Sequence, residues 1–268
     1  FAGPVWRPDP QPAGQGPLLV VADAGWAAAP DWTAVQARAE TALEQAASGG
    51  QPAALLLVDV QGGGPLVFGT GAQAAARLRA AAPQPWGTRY PEPGPALSEA
   101  PARFDTLWIA DGLDHAGRDA LLAALAARGQ VTVVPPRRPV RTLALTGDSA
   151  PVLTLRATGG GPLPAVLAIG PDPQGALRQL ARLPAPEPRM LDGIATADLA
   201  FDLPPELRNR VIRFALEDEP SAGAVVLADD RMRRRKVALV GDTRQTEGQN
   251  LLSPLHYLRQ SLAPSADL

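Results

Sequence analysis

Two aspartates stand where a sheet-edge site would need them. Asp23 follows the apolar run Leu18 to Ala22, and Asp111 follows the run Phe104 to Ala110. Both runs are short and lack alternation, as expected of strands covered on both faces. In open α/β sheets, ligands gather beyond the C-terminal ends of such strands. Two carboxylates there could hold Mg²⁺ or Mn²⁺ through oxygen ligands. Aspartate is also a favoured turn residue and N-cap, so neither position is specific by itself.

Other chemistry is sparse. His115 follows Asp111 and Asp114, an arrangement that invites acid–base catalysis. A histidine exposed in the first turn of a helix is the commoner arrangement. His256 has no acidic neighbour in sequence. Two histidines and no cysteine exclude a His-rich zinc site, thiolate ligands, disulfides and a Cys nucleophile. Gly62-Gly63-Gly64 and Gly69-Thr70-Gly71 fit neither GxGxxG nor GxxxxGK[ST], and the one lysine is Lys236. No GxSxG nucleophile elbow is present. The basic run Arg231 to Lys236 could meet phosphate or an anionic lipid surface. Without interleaved aromatic residues it reads as a solvated or edge-protecting segment.

The elements that must carry the two acids follow from the apolar pattern. Phe104 to Val134 reads as strand, acidic turn, helix, strand. Asp111-Gly112 makes the turn, and Asp114 or Asp119 supplies carboxylate near the helix N-terminus. Leu121, Leu122 and Leu125 recur at helical spacing, Gly129 stands at the C-cap, and Val131 to Val134 is a second buried strand. Such a βαβ unit needs a parallel sheet and further units like it. Upstream, Leu18 to Ala22 is a strand, Asp31 an N-cap, and Val35, Ala39, Ala42, Leu43 and Ala46 form a helix face. Ala53 to Val60 is the next strand, Leu66 to Phe68 a short edge strand, and Ala72 to Ala82 a helix. Residues 83 to 95 cannot sustain regular structure, and a short helix fits Ala96 to Ala102.

After Pro139 the period changes. Val140 to Leu145, Val152 to Ala157, Pro164 to Ile169, Ala176 to Leu183, Ala195 to Asp202, Arg210 to Leu216 and Ala222 to Leu227 are strand-length runs between turn-rich segments. That spacing predicts a β-sandwich. Leu177 to Leu183 has leucines at helical spacing, but its place in the meander favours a strand. Lys236 to Val240 and Leu251 to Leu262 then read as strand and helix of another α/β segment.

Composition bounds the function. The chain has 268 residues, 46% apolar and 19% charged, with a net charge of −2. This is globular, of about two domains, with no overall field favouring nucleic acid. No apolar run reaches the roughly 18 residues that span a bilayer. Phe1 to Trp6 suits either a frayed terminus or the interfacial end of a transmembrane helix.

The stretches VVADAGWAAAPDW (20 to 32) and FDTLWIADGLDHAGRDALLAAL (104 to 125) resemble a von Willebrand factor A-type domain. The first matches the strand and loop that carry D-x-S-x-S, and the second the later strand ending in Asp-Gly. With residues 201 to 240 and 251 to 264, the chain resembles bacterial membrane proteins with a Bat-type aerotolerance N-terminal region. The resemblance implies α/β plus all-β architecture: a doubly wound, mostly parallel A-like sheet over 17–139 and an immunoglobulin-like β-sandwich over 140–235. A linker at 1–16 would follow a transmembrane helix, and 236–268 would begin a glutamine-amidotransferase-like domain. In the metal motif Asp23 stands at the first acid and Asp111 at the later one, while Gly25 and Ala27 replace both serines. A cation held by what remains would keep mostly water. The implied protein is non-enzymatic, anchored in the inner membrane, with this region periplasmic. It would serve envelope-complex assembly or maintenance through partners such as a MoxR-type AAA+ ATPase or other A-domain proteins. No nucleic acid and no cofactor are expected. The alternative is a divalent-metal-dependent binding or enzymatic domain using Asp23 and Asp111.

Overall fold

The computed structural model describes residues 16–58, 65–146, 152–200, 203–228, 235–239, 254–262 and 266–267. Its described residues fall into two compact units, Phe1–Val140 with Pro220–Gly223, and Arg141–Glu219 with Ala224–Leu268. The architecture is mixed α/β, with one mixed sheet in the first unit and antiparallel sheets in the second.

The first unit runs β1 (Leu18–Asp23), α1 (Trp32–Ser48), β2 (Pro52–Val58), β3 (Gly69–Thr70), α2 (Gly71–Arg79), α3 (Pro93–Ala96), β4 (Asp105–Ile109), α4 (Arg118–Ala126) and β5 (Val131–Val134). Sheet order is β3-β2-β1-β4-β5. All pairings are parallel except β2 with β3. β1 is central and buried along its whole length. Leu18, Val20 and Ala22 face one core with α1 and α2, where Val35, Ala39, Ala42, Leu43, Ala46 and Leu78 close it. Leu19 and Val21 face the other core with Trp108, Leu121 and Leu125. Both faces are covered, which is why these strands are apolar without a break.

Several local expectations are corrected. The edge strand is Gly69–Thr70, not Leu66 to Phe68. Thr70 and Gln73 form a capping box there, so the chain turns straight from strand into α2. The short helix is Pro93–Ala96, begun by proline in its first turn, not Ala96 to Ala102. β5 is an edge strand and only partly buried, with Val133 48% exposed. Asp31 precedes α1, yet its carboxylate accepts the Arg137 N–H at 3.2 Å and makes no cap bond. α4 ends at Ala126, and Gly129 is required for another reason. A Cβ at Gly129 would collide with the Phe104 carbonyl oxygen and come within 2.8 Å of Asp105 Oδ1.

The second unit has β6 (Arg141–Thr146), β7 (Val152–Thr158), β8 (Val166–Pro171), β9 (Leu177–Leu183), β10 (Arg189–Leu191), β11 (Ile194–Leu199), α5 (Pro205–Arg208), β12 (Arg213–Leu216), β13 (Val225–Leu227), β14 (Arg235–Lys236), α6 (Pro254–Leu262) and β15 (Ala266–Asp267). Two four-stranded antiparallel sheets, β10-β11-β7-β6 and β13-β12-β8-β9, share one core built around Leu153, Leu155, Val166, Ala195 and Phe214. Leu177–Leu183 is a strand, because it pairs with β8 along its length as a sheet edge. Its exposed Arg178 and Arg182 pair with Asp172 and Glu217, charges of the kind that discourage edge-to-edge association. The strand expected at Lys236 to Val240 is confined to Arg235–Lys236 within the described residues. Arg231 to Arg234 lie outside the described residues. Among the described residues no helix is long and apolar enough to cross a membrane.

The Gly129 contact gives a direct test. Gly129→Ala should lose about 1–3 kcal/mol, the usual cost of forcing an atom into packed structure. Gly87→Ala, with no atom near the added Cβ, should stay within about 0.5 kcal/mol of the native chain. Urea unfolding followed by tryptophan fluorescence reads this unit, since Trp6, Trp26, Trp32, Trp86 and Trp108 are all the tryptophans.

Candidate functional site

β1 and β4 are neighbours, with Ala22 opposite Ile109, so their C-terminal ends deliver Asp23 and Asp111 to one place. Both are almost wholly buried, at 1% and 2% exposure. The Asp111 backbone N–H donates to Asp23 Oδ2 at 3.0 Å. Beyond it the chain turns at Gly112, whose φ of 84° favours glycine. The Leu113 N–H then donates back to Asp111 Oδ1 at 3.0 Å. This local turn is an aspartate's ordinary chemistry. The pairing across β1 and β4 is what the fold adds.

A segment without regular structure closes over this edge. α2 stops at Arg79, three residues short of the helix expected to run to Ala82, and residues 84–90 cross the end of β1. The Gln84 N–H donates to the Ala24 carbonyl at 2.7 Å, and the Trp26 N–H donates to the Trp86 carbonyl at 3.0 Å. Thr88 Oγ1 donates to Asp111 Oδ2 at 3.2 Å. Tyr90 OH donates to Asp23 Oδ2 at 2.9 Å. Trp108 Nε1 donates to Asp23 Oδ1 at 3.3 Å. The Tyr90 and Trp108 rings meet edge to face with centroids 5.2 Å apart. His115 Nε2 lies 2.8 Å from Asp111 Oδ2, with its side chain 15% exposed. Its first-turn exposure is thereby corrected: the ring is drawn inward by a carboxylate four residues earlier.

Both oxygens of Asp23 therefore accept protein donors, and both oxygens of Asp111 are engaged. A Cβ at Gly25 would sit 2.7 Å from Thr88 Oγ1 and 3.0 Å from the Trp86 carbonyl oxygen. The segment fills the space that a side chain at position 25 would use. Ala27 is buried and offers no side-chain oxygen. These residues do not fit a hydrated Mg²⁺ or Mn²⁺, which needs open oxygen ligands around it. Among the described residues no group of three His, Asp or Glu is arranged to hold an ion. The adjoining cavity, lined by Asp23, Ala27, Asp31, Asp111 and Arg138, is about 20 Å³. That is room for a water and not for an organic substrate.

Burial sets the electrostatics. It pushes the Asp23 carboxyl up to about 6, and the negative charge of Asp111 adds to the rise. The donors from Asp111, Tyr90 and Trp108 oppose it. The hydrogen bond to Asp111 raises His115, against the effect of its partial burial. Burial and the nearby Asp23 raise Tyr90, so its hydroxyl stays a donor. Nothing in the sequence marks Thr88, Tyr90 and Trp108 as members of one cluster with His115. The only sequence signal was the four-residue spacing from Asp111 to His115.

Asp23 ionises near 3.8 in the absence of the fold and near 6 within it. The folded state holds this proton more tightly, so the contribution is greatest below the lower value and falls as pH rises across the window. His115 acts in the same direction at higher pH: its contribution is complete below 6.5 and lost as pH rises through the raised folded value. Asp172 and Glu217, held down by Arg178 and Arg182, act in the opposite sense. A difference curve against Asp23→Asn is dominated by this group, with a smaller part from His115, which the Asp23 charge also raises. The stability advantage of the native chain should shrink by roughly 2–3 kcal/mol between about pH 4 and about pH 7. A flat difference contradicts the burial assigned to Asp23. In comparisons with known proteins, no family model, no curated protein and no solved structure matches the chain.

Proposed function

We propose that the chain is a non-enzymatic protein-interaction region of a membrane-anchored protein. In this reading the first unit is a von Willebrand A-like domain with a degenerate metal motif, and the second an immunoglobulin-like sandwich. One observation carries it: the Asp23 carboxylate is taken up by donors from Tyr90, Trp108 and Asp111. An acid that holds three donors on its two oxygens acts as a structural hub. The juxtaposition of Asp23 and Asp111 supports the A-like assignment, because the resemblance requires those two acids at one sheet edge. The periplasmic side of the inner membrane, a role in envelope-complex assembly or maintenance, and partners such as a MoxR-type AAA+ ATPase rest on the resemblance alone. The metal-dependent alternative is weaker, since each oxygen of the two acids already holds a partner from the chain.

The test is crosslinking in native membranes followed by purification of the tagged protein and mass spectrometry. Recovery of a MoxR-type ATPase or another A-domain protein, stoichiometric and unaffected by EDTA, is the expected result. A partner-free preparation with hydrolytic turnover that requires Mg²⁺ or Mn²⁺ would overturn the proposal.

A further inference from the structure

The dipeptide Asp-Gly occurs twice in the sequence, at Asp111-Gly112 and at Asp192-Gly193. A glycine after aspartate leaves the amide between them sterically open. The two copies stand in opposite surroundings. Asp111 is 2% exposed, and its Oδ1 accepts the Leu113 N–H at 3.0 Å. Its Oδ2 accepts from Thr88 and lies 2.8 Å from His115 Nε2. Asp192 is exposed, and its carboxylate makes no hydrogen bond or ion pair among the described residues.

Asp192 and Gly193 form the two-residue turn between β10 and β11, closed by the pair Leu191 and Ile194. φ is 49° at Asp192 and 78° at Gly193, the left-handed pair that suits a tight hairpin. At Asp192 a residue with a side chain holds that conformation, which favours glycine. No atom lies within 4 Å of a Cβ built on Gly193, so the turn is open on that side. The Gly193 carbonyl accepts the Gly159 N–H at 3.0 Å, whereas the Gly193 N–H donates to no group among the described residues. β10 is the edge of its sheet and pairs with β11 alone.

We propose that Asp192 is a site of spontaneous backbone modification, where the carboxyl closes on the Gly193 amide and reopens as isoaspartate, while the locked carboxylate of Asp111 is spared. The Gly193 nitrogen forms a bond to Asp192 Cγ. The amide hydrogen and the hydroxyl of the protonated carboxyl leave as water, giving a five-membered succinimide. Water then adds to either carbonyl of that ring. Breaking the bond from nitrogen to Cγ restores aspartate. Breaking the bond from nitrogen to the Asp192 carbonyl carbon gives isoaspartate, with the main chain running through Cγ. Mass is unchanged, and no oxidant or cofactor is consumed. The isomer puts one more atom into the main chain of a two-residue turn. Leu191 then loses its register with Ile194, and β10 has no second strand to hold it. The chemistry is independent of the interaction-region reading.

The full chain is incubated near neutral pH beside an unfolded peptide of residues 187–198, until half of the peptide has isomerised. Proteolysis and electron-transfer fragmentation then distinguish isoaspartate from aspartate at each position. Conversion at 192 in the folded chain should lie within about tenfold of the peptide, and conversion at 111 at least about tenfold below that at 192. In urea the two positions should convert alike. Hydrogen exchange of the β10 amides should quicken in the isomerised fraction. No conversion at 192, or conversion no faster there than at 111, overturns the proposal. A contrast that persists in urea overturns the role given to the fold. Unchanged exchange of the β10 amides overturns the loss of register.

Discussion

A carboxylate at the end of a buried strand must be neutralised, solvated or hydrogen-bonded, because an unpaired charge in a protein interior costs far more than a fold can spare. Asp23 meets that constraint with donors from its own chain. Tyr90, Trp108 and the Asp111 backbone reach it from three separate parts of the first unit. Much of what is irregular there follows from this requirement. Residues 84–90 have no helix or strand to hold them, yet they are tied down because Tyr90 and Thr88 satisfy the two acids. Gly25 must be glycine for the same reason, since a side chain would meet Thr88.

The cluster is satisfied but not relaxed. Two buried carboxylates stand together, and among the described residues the His115 imidazole is what can bring a positive charge into contact with Asp111. Arg118 stands further out and donates to the Leu113 carbonyl. Burial and mutual repulsion pull against the hydrogen bonds, and the rise of Asp23 to about 6 is their balance. Such perturbed groups are often catalytic. Here the same groups lie under a filled edge, with a cavity of about 20 Å³ beside them, so their perturbation reads as the consequence of packing.

The regular part of the fold was legible because its strands are apolar without interruption and its helices periodic. The order of strands and helices through Val134 follows from those two patterns. Boundaries went astray where a tertiary contact chose the residue. Gly129 looked like a helix cap and is instead a close approach to Phe104. Leu177–Leu183 carries leucines at helical spacing, but pairing with β8 decides for a strand. Asp23 and Asp111 were legible as site residues, since strand ends can be read locally. Thr88 and Tyr90 were not, because a proline-rich stretch has no period, and nothing in it announces which side chains turn inward. The spacing of His115 from Asp111 is visible in the sequence, but the inward turn of its ring depends on an acid already buried.

The central claim is that both oxygens of Asp23 are taken up by donors of its own chain, and one measurement bears on it directly. Mn²⁺ broadens nuclear resonances of groups close to where it binds. The Trp108 indole N–H, which donates to Asp23 Oδ1 at 3.3 Å, is a reporter inside the cluster. Titration with Mn²⁺ should leave that resonance sharp while exposed carboxylates broaden the signals near them weakly and without preference. Selective broadening of the Trp108 indole at low Mn²⁺, reversed by Mg²⁺, would contradict the account.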